Sequence, residues 1–259
     1  MDKPYQVTVF RAEQLQKLRN VRVHSPTLIQ IITGSKRLYW KDTTVDLSQS
    51  QLLLSQASAS LNFENLPQKG QFQSRVFSFH CSPSESMLEL SVIRAKQHDS
   101  PTLGMDNALQ NTLHALFSFN QEEMSHQTQA FWVMGLYQQL AEKGWLHRLF
   151  PNKHASLTEK LSQYLSHSPG DDHPLELMAD RFAMSRATLM RKLKQEGTQY
   201  RELLAEVRLN HALRLMQSEH YSVAMLSQLC GYQSEDRFSQ RFKRKFGLSP
   251  KSYMKTLNG

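Results

Sequence analysis

Two segments of the chain combine a serine suited to helix capping with short polar side chains and arginines spaced along one helix face. The first runs from Arg181 to Lys194 and carries five basic residues and no acidic one. Its Ser185 can cap a helix whose outward positions are Arg186, Thr188, Arg191, Lys192 and Lys194. Leu189 and Leu193, at i and i+4, continue a buried face. Forty-nine residues later the pattern returns, with Ser234 at the cap, Phe238 and Phe242 matching the leucines, and Lys243 matching Lys194. The chemistry open to these residues is recognition of nucleic acid. Arginine can donate two parallel bonds to guanine and glutamate can accept from cytosine, each contact discriminating by about 1–3 kcal/mol. Lysine and serine suit phosphate, where they set affinity and its salt dependence.

Covalent chemistry finds little support. His80, Cys81 and Ser82 are consecutive, and neighbours in a strand point to opposite faces, so they make no working pair. Cys81 and Cys230 lie 149 positions apart and form neither a disulfide framework nor a CxxC metal site. They read as free thiols in a reducing compartment, with Cys230 a small buried residue. His24, His80 and His98 are too isolated to form a metal-binding set. The first twenty residues carry charge throughout, and no window approaches 18 apolar residues, so a cytoplasmic protein with no membrane span is expected.

The charge distribution sharpens the nucleic-acid reading. The 259 residues hold 31 Lys and Arg against 23 Asp and Glu, a formal net charge of +8. Segments 181–194 and 237–259 together contribute +12, so the remainder is −4 overall. The excess belongs to two segments rather than to a generally basic surface.

The elements that must position these residues follow from periodicity. Residues 4–80 read with period two in short runs such as YQVTVF, TLIQIITG, QLLLSQ and QSRVFSFH. Gly34 with Ser35 reads as a hairpin turn between Leu28–Thr33 and Lys36–Trp40, and Leu66–Gly70 as a loop. From about Ser84 the period becomes 3.6, with helices expected at 84–95, 105–117, 123–142 and 155–166. The third places Phe131, Met134, Tyr137, Leu140 and Ala141 on one apolar face, for core packing or for a dimer contact, and Gly144 ends or kinks it. His167–Pro174 is rich in Pro, Gly and Asp and reads as a linker. The division is 1–166 as a first domain, 167–174 as linker and 175–259 as a second domain. In the latter, two short helix–turn–helix units flank a long connector containing Leu203, Val207, Leu213 and Met216. The closing glycines, Gly197 and Gly247, are one position out of register, so the repeat contains a small insertion.

Residues 174–257 resemble the AraC/XylS family of bacterial transcription regulators. The resemblance rests on LMADRFAMSRATLMRKLKQEG, on Arg208-Leu209 with Ala212, on Gly231-Tyr232, on Phe238, Phe242 and Lys243, and on Gly247-x-Ser249-Pro250. It implies a seven-helix module whose two recognition helices enter successive major-groove segments of promoter DNA. By position, the base readers would be Arg186, Thr188, Arg191 and Lys192 in the first unit and Gln233, Glu235, Arg237 and Arg241 in the second. Ser185, Lys194, Ser234, Lys243 and Lys245 would meet the backbone. Asp236 and Gln240 depart from the family pattern, and Asp236 would repel phosphate unless it serves the helix end or pairs with Arg237. The family also implies contact with RNA polymerase, activation more often than repression, and homodimerisation, as well as an N-terminal cupin-like barrel with flanking helices. The fold class expected is therefore two-domain α+β: that barrel, followed by an all-α double helix–turn–helix module.

The barrel leaves two readings open. Ile31, Leu38, Trp40, Leu53 and Phe79 either line an effector pocket, with Arg22, Lys36 or Arg75 meeting an anionic head group, or fill the interior completely. In the first case a small apolar or anionic effector is the ligand; fatty-acid-like ligands are used by some virulence-gene regulators of this family. In the second, a regulatory protein or no effector acts. Two further alternatives are a partner-binding protein that uses the helical module without reading DNA, and a cupin-type enzyme; no cofactor or metal is expected.

Overall fold

The computed structural model describes residues 3–96, 100–151 and 155–257, so His98 lies outside the described residues. The first half forms two antiparallel sheets. Strands β1 (Tyr5–Ala12), β8 (Phe72–Phe79), β3 (Thr27–Thr33), β6 (Gln51–Ser55) and β9 (Thr102–Gly104) make one sheet in that order. β2 (Gln16–Arg22), β7 (Ser60–Leu66), β4 (Ser35–Trp40) and β5 (Thr43–Leu47) make the other. Strands β5 and β7 carry few apolar residues, and periodicity did not mark them.

Strand alternation divides the larger sheet cleanly. Tyr5, Leu28, Phe77 and Phe79 face helices α1 (Glu85–Ile93), α2 (Asn107–Ser118), α3 (His126–Glu142) and α4 (Leu146–Leu149) and share a core with them. Their neighbours, including Ile29, Ile31 and Phe72, face the second sheet. The expected hairpin at Gly34 is instead a corner. β3 and β4 lie in different sheets, and Gly34 turns the chain from one to the other at φ +76°. A Cβ there would stand 2.6 Å from the Leu66 carbonyl oxygen, so the close approach of two backbones requires glycine.

The expected helices form within a few residues of their spans. Gly144, at φ +73°, ends α3: its amide and that of Trp145 donate to Ala141 and Leu140, closing the last turn. Tyr137, Leu140 and Ala141 are fully buried in the core, so a dimer contact through Tyr137 and Leu140 is excluded in this arrangement. Met134 is half-buried, and Phe131 is 69% exposed beside Trp132.

Helix α5 (Leu157–Leu165) packs with α6 (Leu175–Arg181), α7 (Arg186–Gln195) and the first half of α8 (Tyr200–Ser218), in a core built from Leu161, Leu165, Met178, Leu189, Leu193 and Leu203. Glu196 accepts from the amides of Leu157 and Thr158, tying the start of α5 to the end of α7. Residues 167–174 are anchored too. Arg208 donates to the carbonyls of Pro169 and Asp171, and Tyr200 to that of His173. The second half of α8 packs with α9 (Val223–Leu229), α10 (Glu235–Phe246) and α11 (Pro250–Lys255) in a core that continues into the β-domain.

Candidate nucleic-acid interface and interdomain cavity

The two helix–turn–helix units repeat the same construction. In the first, α6 ends in a turn where Ala183 has φ +52° and the Met184 amide donates to Ala179; Ser185 then caps α7 by accepting from Thr188. In the second, Gly231 has φ +71°, the Tyr232 amide donates to Ser227, and Ser234 caps α10 by accepting from Arg237. These turn features are 48 residues apart and the caps 49, so the second turn is one residue longer. A further difference lies in α10, which is 12 residues long against 10 for α7.

Buried leucines and phenylalanines hold each recognition helix down and leave its opposite side in solvent. On α7, Arg186, Arg191, Lys192 and Lys194 are exposed. Arg186 pairs with Glu176 at 2.8 Å, and Thr188 is half-buried, with its hydroxyl taken by Ser185. On α10, Glu235, Arg237, Arg241 and Lys243 are exposed, as is Gln233 just before the cap. Gln233, Ser234, Arg237 and Arg241 line one surface groove with Arg208, and Arg237 and Arg241 line another with Gln240 and Arg244. Glu235 and Asp236 occupy the first turn of α10, where carboxylates favour the helix dipole. Lys245 departs from the expected phosphate role: it pairs with Glu206 of α8 and turns toward the β-domain.

That pairing belongs to a polar seam between the domains. The second oxygen of Glu206 lies 3.5 Å from Arg22 of β2. Asn210 donates to the Arg22 carbonyl and to Nε2 of His24, each at 2.7 Å. Burial, reinforced by Arg214, Arg22 and Lys245, drives the His24 pKa down to about 3, so its ring is neutral and can accept this bond. At the far end of β2, Gln16 donates to Thr256 beyond α11, while Gln217 bridges Arg11 and the Tyr253 hydroxyl.

The seam encloses a cavity of about 170 Å³ between the two sheets, closed on one side by Val207, Asn210, Leu213 and Arg214 of α8. Lys36 lies in its wall, 3% exposed and without a carboxylate partner. Its ammonium donates to Asn65 and stands 3.5 Å from the centre of the Phe63 ring. Burial holds its pKa well below the ordinary lysine value. Asn65 donates in turn to Gln16, so a hydrogen-bonded chain runs from Lys36 through Asn65 and Gln16 to Thr256.

Among the residues expected at an effector pocket, Arg22 and Lys36 line this cavity. Ile31, Leu38 and Leu53 are packed into the core, and Trp40 lies at its edge. Phe79 and Arg75 fall on the other face of β8: Phe79 meets Tyr137 edge to face, and Arg75 lies 3.6 Å above the Phe117 ring. Sequence reasoning missed Gln16, His24, Asn65, Asn210 and Arg214. The alternation of Gln16 with Leu18 marks Gln16 as inward-facing, whereas Arg214 requires knowing how α8 lies on the barrel. Among the described residues no group of three His, Cys, Asp or Glu is arranged to hold a metal ion.

A family described as a helix-turn-helix domain matches residues 178–256. The urease operon transcriptional activator of Escherichia coli is 29% identical over 123 residues, 48% of this chain and 41% of that protein. The regulator YdeO of E. coli K12 is 33% identical over 107 residues, 41% of this chain and 42% of that protein. The porin thermoregulatory protein EnvY of the same strain is 32% identical over 80 residues, 31% of this chain and 32% of that protein. The C-terminal unit is an AraC-type helix–turn–helix domain. The AraC-type match is local: the chain spans about a third to two-fifths of the length of these relatives. Beyond the AraC-type domain, the fold of the whole chain is that of ToxT from Vibrio cholerae, with a TM-score of 0.64 and 17% identity over 99% of this chain and 100% of that one. A second ToxT structure, from strain SCE256 and bound to an unsaturated fatty acid, gives a TM-score of 0.62 and 16% identity, covering 100% of this chain and 97% of that one.

Proposed function

We propose that this protein is a cytoplasmic, sequence-specific DNA-binding transcription regulator that acts by binding rather than by covalent chemistry. The observation that carries the reading is the repeated unit: two capped recognition helices, each rooted in an apolar core and each exposing an arginine-rich side. Arg186, Arg191 and Lys192 of α7, with Gln233, Glu235, Arg237 and Arg241 at α10, are the base-reading groups. Lys194, Lys243 and the cap serines meet phosphate. Activation through RNA polymerase and action as a homodimer belong to the same proposal, as does a division at residues 167–174 into a regulatory domain, 1–166, and a DNA-binding domain, 175–259. Footprinting on the region upstream of its own gene tests the reading. Protection of two adjacent major-groove segments on one face of the duplex supports it; protection of a single segment, or none, contradicts it.

The cavity supports control by an anionic amphiphile, a ligand of the class of the unsaturated fatty acid bound in the ToxT structure of similar fold. Lys36 and Arg214 line the cavity from different domains, so a ligand that fills it contacts both the β-domain and α8. The chain from Lys36 to Thr256 then gives the second unit a direct connection to the site. Adding an unsaturated fatty acid to the footprinting reaction should change the affinity for DNA; an unchanged footprint with ligand demonstrably bound would contradict effector control.

A further inference from the structure

The cavity is polar at both ends and apolar between them. Strand register aligns Gln16, Asn65 and Lys36 across β2, β7 and β4 as one inward row. The same alignment places Gln6, Ser78 and Thr27 as a row across β1, β8 and β3. These rows lie at opposite ends. The Lys36 ammonium is 5.3 Å from the ring of Phe72, at the start of β8, whereas Ser78 lies near its finish. From Ser74 to Ser78 the strand advances about 13 Å. Leu18, Phe63, Val76 and Ile29 occupy the space between the rows.

Each end also carries one cation with no acid of its own among the described residues, Lys36 at one and Arg214 at the other. At the inner end stands Lys36, bonded only to an amide and set against aromatic rings. At the outer end are Arg22 and Arg214, lining the cavity beside His24 and His80. Glu206 is the acid nearest Arg22, but it is already shared with Lys245, and the Arg22 Nε makes no hydrogen bond. Arg214 contributes to no hydrogen bond or ion pair found among the described residues. Its burial lowers its pKa, and the only feature that counters this is the nearby Cys230. Arg22, His24 and His80 also line a second cavity of about 360 Å³, which continues outward past Cys81 and Glu159 and provides an approach to this end.

A ligand with one head and an apolar tail satisfies only one of these ends. If its carboxylate sits at Lys36, its tail finishes against Gln6, Ser78 and two guanidinium groups. If it sits at Arg214, the tail finishes against the Lys36 ammonium. Either way one cation, the buried Lys36 or the half-buried Arg214, keeps no counter-charge. We propose that the cavity takes a two-headed chain, an α,ω-dicarboxylate, with one carboxylate at Lys36 and the other at Arg22 and Arg214. This rests on the effector reading above and specifies the ligand class.

Calorimetric titration of the full chain with dodecanoate and dodecanedioate, both below their aggregation concentrations, tests it. The dicarboxylate should bind at least about ten-fold more tightly. Arg214→Gln should remove that advantage while leaving the affinity for dodecanoate within about two-fold, and Lys36→Met should weaken both ligands. Circular dichroism confirms that each variant is folded. Equal or tighter binding of dodecanoate overturns the two-headed assignment and leaves effector control standing, as does an advantage that survives Arg214→Gln. Binding of neither chain overturns both, while the DNA-binding reading is tested separately by footprinting.

Discussion

Lys36 shows how one residue carries two opposed requirements. Removing its ammonium relieves a desolvated charge but leaves the Asn65 oxygen without its donor, and the two effects largely offset each other. Lys36→Met should therefore change stability by no more than about 1 kcal/mol in urea unfolding, while reducing the rise in melting temperature produced by a carboxylate ligand. His24 gives a second test. Its folded-state pKa of about 3 and that of His211, about 4, both lie below the ordinary value of 6.5. The unfolded chain then takes up protons that the folded one refuses. Stability is complete above pH 6.5 and declines as pH falls toward 4, by up to about 1.4 kcal/mol per pH unit for each ring. His24→Gln keeps an acceptor for Asn210 and should lower the slope between pH 6.5 and 5. An unchanged slope would mean that His24 is not held neutral. The sequence marked Lys36 and Arg22 as candidates for an anion, because cations in alternating strands are conspicuous. It also placed Phe79 and Arg75 in the pocket, where strand parity sends both to the opposite face.

The helices and their turns were the most legible elements. Apolar spacing located α7 and α10, and serine before each apolar run located the caps. What spacing did not disclose was the company each element keeps. Gly34 looked like a hairpin because strands flank it, yet those strands belong to different sheets. Residues 167–174 read as a linker because they are rich in turn formers, and spacing gave no sign that Arg208 and Tyr200 hold their carbonyls. The two turns yield contrasting predictions. Ala183 occupies a left-handed conformation that suits glycine, so Ala183→Gly should stabilise the protein by about 0.5–1 kcal/mol, after allowing for the looser unfolded chain. At Gly231 an added Cβ would stand 2.6 Å from the Gly170 oxygen and 2.7 Å from Arg208 Nη2. Gly231→Ala should cost about 2–3 kcal/mol and weaken DNA binding by displacing residues 169–171. Urea titration of both variants decides the matter, and effects of the same sign would contradict the assigned geometry.

At the scale of the whole molecule, the β-domain and the second helix–turn–helix unit share one continuous core, whereas the first unit is built on α5 and the start of α8. An occupant of the cavity therefore touches the element that both units share. No alternation or helical period predicts this, because it depends on how two separately patterned regions meet. The basic residues that the charge distribution marked on α7 and α10 are exposed, apart from Lys245, which the seam claims. The central claim is that α7 and α10 both read bases. Its most direct measurement is the binding of wild type, Arg191→Ala and Arg237→Ala to the protein's own upstream duplex and to a composition-matched scramble, at one fixed salt concentration. Each variant should lose roughly 10–100-fold on the specific duplex, the equivalent of about 1–3 kcal/mol, and no more than about three-fold on the scramble. Equal losses on both duplexes, or no loss on either, would contradict the account.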